Sequence, residues 1–177
     1  MPKVRATLLM NAQAFVTERF GATAHRRVLA ELKAPAAALF SISLPTGSRI
    51  PLEHLVAYMV TAKRLFAPDE TGFHREIGRF AGTVEREESA FSHMVADRET
   101  LLKTLKMLWR AYYSEGKVEI VSSDAAQVTW RAVNFRGDPV LCERITGATE
   151  TQAGAARSEH GACVFRGDAA CQWTAWW

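Results

Sequence analysis

Apolar residues along the first two thirds of the chain recur mainly at helical spacing. After a short predicted strand at 3–10, a helix is predicted at 11–20, whose periodic apolar residues include Ala14, Phe15 and Phe20. The same spacing predicts helices at 22–32 and 51–66, another after Asp69, and a helical stretch over 89–116 with a break near 97–99. Between 41 and 51, two prolines and a glycine indicate a loop around a short extended piece.

After Gly116 the hydrophobic period changes from helical to alternating. Val118 and Ile120, then Val128, Trp130 and Ala132, alternate with polar neighbours, which predicts a β-hairpin. A helix opened by a proline follows over 139–154, and a second hairpin is predicted with strands at 156–164 and 170–176 and a turn at 166–168. The predicted fold class is α+β: a helical N-terminal part packed on a four-stranded antiparallel sheet with β-β-α-β-β C-terminal organisation.

Size and composition indicate one globular domain over 1–177, mainly helical in 1–115, with a β-β-α-β-β lobe and a candidate metal site in 116–177. The chain has 177 residues, of which 48% are hydrophobic and 23% charged, and a formal net charge of +3. That charge does not point to nucleic acid. No apolar run reaches the ~18 residues of a membrane span, and no secretory signal is evident, so we expect a cytoplasmic protein.

All three cysteines, Cys142, Cys163 and Cys171, lie near the C-terminus, with His160 between the first two. Thiolate and imidazole are the usual ligands of a structural zinc site, and the second hairpin is expected to place Cys163 and Cys171 on facing strands. Cys142 at a helix start and His160 complete a predicted Cys3His set, with Glu159 as the reserve fourth ligand. Two alternatives stay open: buried core thiols and a disulfide.

The cysteines and the residues around them also resemble a motif of a known protein family. Cys142-Glu-Arg-Ile-Thr-Gly147, His160 and the Cys163–Cys171 hairpin with Gly167-Asp168 resemble the C-terminal motif of vinyl-reductase-type (4-vinyl reductase) ligand-binding domains, whose sensor members hold zinc there. The chain departs from that pattern by placing His160 where the sensors carry an acidic ligand. The runs Phe15–Gly21 and Leu105–Tyr113 resemble a bacterial family of unknown function in the superfamily of haem nitric-oxide-binding, vinyl-reductase and transport-particle (Bet3-like) domains.

The resemblance implies a non-enzymatic small-molecule-binding or regulatory sensor module with a structural zinc, acting through a signalling partner or as a homodimer. A small hydrophobic or aromatic ligand would lie between helices and sheet. The candidate ligand-binding residues are Phe80, Phe91, His93, Leu105, Trp109, Tyr112 and Trp130. Haem is disfavoured, because the Tyr-x-Ser-x-Arg motif of the nitric-oxide sensors is missing and His93 alone has the helical context of an axial ligand.

Other functions stay open as alternatives. In one alternative the aromatic residues fill a core, as in a protein-interaction or scaffold domain without a ligand. The exposed basic face predicted for Lys103, Lys106 and Arg110 is more typical of a solvated helix than of a nucleic-acid contact. An enzyme acting on a tetrapyrrole precursor rests on the family's name alone, since no catalytic constellation is found in the sequence.

Overall fold

The computed structural model describes residues 1–39, 44–45, 47–88 and 98–177. It confirms the α+β class and the four-stranded antiparallel sheet. The helices are α1 Ala6–Phe20, α2 Ala22–Glu31, α3 Ala34–Ala38, α4 Leu52–Phe66, α5 Phe73–Glu88, α6 Arg98–Tyr112 and α7 Pro139–Gln152. The strands are β1 Lys3–Arg5, β2 Arg49–Pro51, β3 Lys117–Ser123, β4 Gln127–Val133, β5 Arg157–His160 and β6 Cys171–Trp176.

The four-stranded sheet has the order β3-β4-β6-β5, so that β6 lies inside the sheet between β4 and β5. Trp130 of β4 is paired with Trp173 of β6, and their rings stack with centroids 4.4 Å apart. Alternate residues of β6, namely Cys171, Trp173 and Ala175, are fully buried. This period of two is what a sheet with one face on the core requires.

The N-terminal strand is shorter than the sequence predicted. Only Lys3–Arg5 is extended, and it pairs with β2 in a separate two-stranded sheet. Helix α1 begins at Ala6, so the predicted strand at 6–10 is wrong. Leu8 and Leu9 are buried on the inner side of this helix together with Ala12, and the spacing of these residues fits a helix better than a strand.

Helices α5 and α7 pack against each other unusually closely, because glycines lie where they cross. A Cβ on Gly78 would lie 2.0 Å from the backbone oxygen of Arg144, and one on Gly147 would lie 2.0 Å from that of Arg75. Any larger residue would push the two helices apart. This crossing fixes the position of α7, which carries both Cys142 and Arg144.

The outer surface of α6 has the character of a solvated helix face. Lys103, Lys106 and Arg110 are exposed, and Lys103 forms an ion pair with Glu99 one turn earlier. Among the helices that the structure describes, none is both long and apolar enough to cross a membrane.

Candidate ligand cavity and metal-ligating cluster

A cavity of about 60 Å³ lies between α1, α5, α6, α7 and strand β4. Its walls are mostly apolar and aromatic. The apolar lining residues are Leu8, Leu105, Leu108, Trp109, Trp130, Ile145, Ala148 and Ala153, and the polar ones are Glu85, Tyr112, Tyr113, Arg144, Thr149 and Gln152. Apolar walls with a few polar groups are typical of small-ligand sites.

Glu85 is a buried carboxylate held by neutral donors. The amide of Asn11 donates to its Oε1 at 3.0 Å, and the amide of Gln152 donates to its Oε2. The hydroxyl of Tyr112 bonds to the same carboxylate. Burial raises the pKa of Glu85, while the charge of Arg144 and these hydrogen bonds act in the opposite direction. The acceptor atoms of Glu85 are therefore satisfied by its neighbours.

Arg144 is the cationic side chain among the residues that line the cavity, and it is only 2% exposed. Its Nε and Nη2 atoms are buried and have no hydrogen-bond partner within the described part of the chain. The indole Nε1 of Trp130, which also lines the cavity, lacks a partner in the same way. A buried donor without a partner lowers the stability of the folded protein by about 1–3 kcal/mol. A ligand that supplies acceptors to these atoms would remove that cost.

The structure brings four of the predicted ligand-binding residues to this cavity: Leu105, Trp109, Tyr112 and Trp130. Phe80 is not among the lining residues; its ring packs against that of Phe15, with centroids 5.7 Å apart. Phe91 and His93 lie outside the described residues. Sequence reasoning missed Glu85 and Arg144, because charged side chains are rarely buried and no local pattern marked them as inward.

Cys142, His160, Cys163 and Cys171 form one cluster, in which one ligand atom from each residue lies within 4.8 Å of the others. The Sγ atom of Cys171 is 3.6 Å from that of Cys163 and 3.8 Å from that of Cys142. These distances exclude a disulfide, whose sulfurs are about 2.05 Å apart, and all three thiols are free. They match the sulfur–sulfur edge of a tetrahedron with metal–sulfur bonds of about 2.3 Å, which is about 3.8 Å.

The local structure that brings Cys163 close to Cys171 differs from the predicted hairpin. Strand β5 ends at His160, so Cys163 does not face Cys171 across a hairpin. It begins a 3-10 turn at Val164–Arg166 instead, and the carboxylate of Asp168 accepts a hydrogen bond from its backbone N–H at 2.7 Å. Of the two residues considered as the fourth ligand, His160 lies in the cluster. Glu159 is exposed and forms an ion pair with Arg157.

The cluster is buried and its sulfurs are electrostatically coupled. Hydrogen bonding with Cys171 and burial raise the pKa of Cys142, and burial raises that of Cys163. The hydrogen bond from Cys142 lowers the pKa of Cys171, with a further contribution from His160. The imidazole of His160 stacks on the ring of Trp173, and its Nε2 has no partner among the described residues. Three thiols and one imidazole are soft ligands, and a cluster of this kind suits a soft metal ion.

No family model and no curated protein matches the chain in sequence. Solved structures do match in fold. The chain has the fold of H-NOX domains. The H-NOX protein from K. algicida, in the Fe(II) unliganded state, superposes with a TM-score of 0.71 at 7% identity, over 97% of this chain and 95% of that one.

Two further H-NOX structures agree. The S. oneidensis protein in the Fe(II)NO state has a TM-score of 0.68 at 11% identity, over 96% of this chain and 97% of that one. The Shewanella woodyi protein in the Fe(II)CO state has a TM-score of 0.65 at 10% identity, over 96% and 92% of the two chains. At these identities the likeness establishes the fold.

These neighbours correct three expectations. The resemblance to vinyl-reductase and transport-particle domains is wrong, because the matching structures are H-NOX domains. The predicted function, a non-haem sensor defined by a structural zinc, is wrong for the same reason; metal binding by the four clustered side chains is a separate matter of their geometry. The expectation that haem is disfavoured is also overturned, since the fold is one that holds haem iron in these proteins.

Haem, the group that this fold implies, can be tested against the cavity. The aromatic walls suit an apolar ring, but the histidines His25, His54, His74 and His160 of the described chain do not line it. Its volume of about 60 Å³ is also well below the ~300–1,000 Å³ of typical cofactor sites. The described residues therefore do not by themselves complete a haem site.

Proposed function

We propose that this protein is a small-ligand sensor domain whose ligand binds in the cavity between α1, α5, α6, α7 and β4. The observation that carries the proposal is the buried edge of Arg144, without a hydrogen-bond partner, in a cavity whose walls are mostly apolar. The likeness to H-NOX domains solved in the Fe(II)NO and Fe(II)CO states supports it, because those proteins hold a small ligand in the same fold. The proposal includes an output through a partner protein or a second copy of the chain.

The location of the cavity suits a sensor. Its walls come from the helical part and from β4, so that an occupant contacts both parts of the fold at once. Helix α7 links the cavity to the thiol cluster, since Arg144 lies two residues after Cys142. A ligand in the cavity can therefore shift the first turns of α7 and the thiol cluster attached to them, because packed helices transmit small shifts as rigid elements.

A cavity-filling variant tests this location. Leu108 is half-buried and lines the cavity, so Leu108→Trp is expected to fill it, whereas Leu102→Trp on the same helix is a matched control away from it. The probe is xenon, which fits a cavity of this size, and its binding is followed by xenon NMR. We expect xenon to bind the natural chain and the control, and to be lost in Leu108→Trp. Xenon binding that persists in Leu108→Trp, or a natural chain that binds neither xenon nor the small anions tested below, would contradict the proposal.

We further propose that Cys142, His160, Cys163 and Cys171 bind one soft divalent metal ion. The supporting observation is the pair of sulfur–sulfur distances, 3.6 and 3.8 Å, in a buried set of four ligand atoms. Four protein ligands leave no open position, so the ion would brace α7 against β6 and do no chemistry. Native mass spectrometry of the purified chain is expected to show one metal ion per chain, released by acid; a metal-free folded chain would contradict this.

A further inference from the structure

We propose that the cavity binds a small oxyanion of the carboxylate or nitrite class through the partnerless edge of Arg144, assisted by the indole N–H of Trp130. This inference rests on the proposed ligand cavity and adds the chemical class of its occupant. The carboxylate and nitrite groups share the chemistry that the site recognises: two oxygen acceptors in one plane with a single negative charge.

The partnerless atoms in the cavity are all donors. Arginine presents five N–H donors and no acceptor, and the indole of tryptophan only donates. Both groups line the same cavity, and Nε and Nη2 of Arg144 lie on one edge of its guanidinium. Two neighbouring N–H groups in a fixed plane form the fork that binds the two oxygens of a carboxylate side by side. The cavity therefore favours a ligand whose oxygen atoms can accept hydrogen bonds from these N–H groups.

The nearby carboxylate of Glu85 does not fill this role. Its oxygens already accept from Asn11, Gln152 and Tyr112, and the Nε and Nη2 edge of Arg144 remains without a partner. The hydroxyl of Tyr113 does interact with Arg144, but burial raises the pKa of Tyr113 to about 12, so it brings no charge. A buried guanidinium with an unpaired edge is expensive, and an anionic ligand removes that cost better than a neutral one.

The volume limits the size of the anion. One water needs about 10–15 Å³ of such space, so a cavity of about 60 Å³ holds only a few heavy atoms. Nitrite, acetate and propionate are of this size. The apolar side chains of Leu8 and Leu105 line the same cavity and suit the short alkyl part of propionate, which favours a carboxylate with a small apolar tail.

The test compares sodium propionate, sodium nitrite and neutral propionamide in thermal unfolding, with sodium chloride at equal ionic strength as the reference. At tenfold above its dissociation constant, a bound anion is expected to raise the Tm by about 3–6 °C. Propionamide is expected to leave the Tm unchanged. A shift with propionate alone identifies an organic carboxylate as the ligand, and a shift with nitrite alone identifies an inorganic oxyanion.

Arginine variants assign the effect to Arg144. Arg144→Met is expected to abolish the anion-dependent shift. Arg144→Lys keeps the charge without the fork and is expected to weaken binding at least about tenfold. The matched control, Arg136→Met, changes an exposed arginine away from the cavity and is expected to keep the full shift. Near-ultraviolet circular dichroism checks that each variant is folded; if Arg144→Met is not, Arg144→Lys and Leu108→Trp carry the comparison.

The outcomes separate this inference from the proposed cavity function. If xenon binds the natural chain and is lost in Leu108→Trp while neither anion shifts the Tm, the ligand cavity stands and the oxyanion inference falls. The same inference falls if the anion shift survives in Arg144→Met or in Leu108→Trp, because the anion then binds elsewhere. If no probe and no anion binds, both proposals fail.

Discussion

A Cβ atom on Gly137 would lie 2.5 Å from the Sγ atom of Cys171 and 3.5 Å from that of Cys163. The backbone before α7 therefore passes directly over the thiol cluster, and only glycine leaves room for both sulfurs. Because Cys171 is fully buried, its sulfur has little space into which it can retreat. Gly137 thus shapes the cluster without contributing a ligand.

Gly137→Ala is expected to displace the Cys171 sulfur and weaken metal binding by roughly tenfold, as changes around a ligand commonly do. The measurement is a Co²⁺ titration followed by the sulfur-to-cobalt charge-transfer band. Gly161→Ala is the matched control, since a Cβ there meets only the Gln172 oxygen at an ordinary 3.9 Å. Equal affinities for the two variants would show that the cluster tolerates the added methyl group.

The role of His160 as a ligand gives a second prediction. His160→Gln is expected to lower Co²⁺ affinity by roughly ten- to a hundredfold and to change the d–d spectrum, because one of four ligands is lost. His54→Gln, which changes a histidine outside the cluster, is expected to behave like the natural chain. Chelation of the metal is expected to lower the Tm of the natural chain and to affect His160→Gln less. If the two histidine variants bind Co²⁺ equally, His160 is not a ligand.

The close crossing of α5 and α7 gives a third prediction. Gly147→Ala places a Cβ 2.0 Å from the backbone oxygen of Arg75, which cannot move unless the helices separate. Alanine is the better helix former by about 1 kcal/mol, so the steric cost must exceed that gain. We expect a net loss of about 3 kcal/mol and a Tm lower by roughly 6–12 °C.

The control for this crossing is Gly72→Ala, where a Cβ would have nothing within 4 Å. Its Tm is expected to stay within about 2 °C of that of the natural chain. Thermal unfolding followed by circular dichroism measures both variants. A Gly147→Ala chain that is as stable as Gly72→Ala would show that α5 and α7 lie further apart than described.

The sheet and the thiol cluster could be predicted from local patterns. Val128, Trp130 and Ala132 alternate in sequence, and the structure buries all three in β4. The three cysteines and His160 are grouped because thiolate and imidazole are the usual zinc ligands and the second predicted hairpin brings Cys163 and Cys171 together, and the four side chains do converge. The period of the hydrophobic pattern predicts the strands, and the residue types predict the metal ligands, without any knowledge of the tertiary packing.

The cavity could not be predicted in the same way. Arg144 has the position of a solvated residue one turn into an ordinary helix, and its burial follows from the α5–α7 crossing. The signal for that crossing is the pair Gly78 and Gly82, four residues apart on one face of α5, which both lie against Ala148 of α7. Such spacing indicates close helix packing, but only the tertiary structure shows which helix is the partner.

Glu150 gives a last prediction, on the pH dependence of stability. Its side chain, 9% exposed, accepts from the guanidinium groups of both Arg75 and Arg79 and from the backbone N–H of Ser158 at 3.0 Å. It therefore ties α5 to α7 and β5. Burial acts to raise the pKa of Glu150, but these hydrogen bonds outweigh it and hold the pKa below its usual value of 4.5.

A depressed folded-state pKa stabilises the protein above the unfolded-state pKa, and this contribution is lost as the pH falls through the folded-state value. Glu150→Gln is therefore expected to cost about 2–4 kcal/mol at pH 7, and the difference from the natural chain should shrink below about pH 4. Urea unfolding at pH 7, 5, 4 and 3 measures it, with Glu18→Gln on the exposed side of α1 as the control. A difference that stays constant from pH 7 to pH 3 would mean that Glu150 acts through packing and not through its charge.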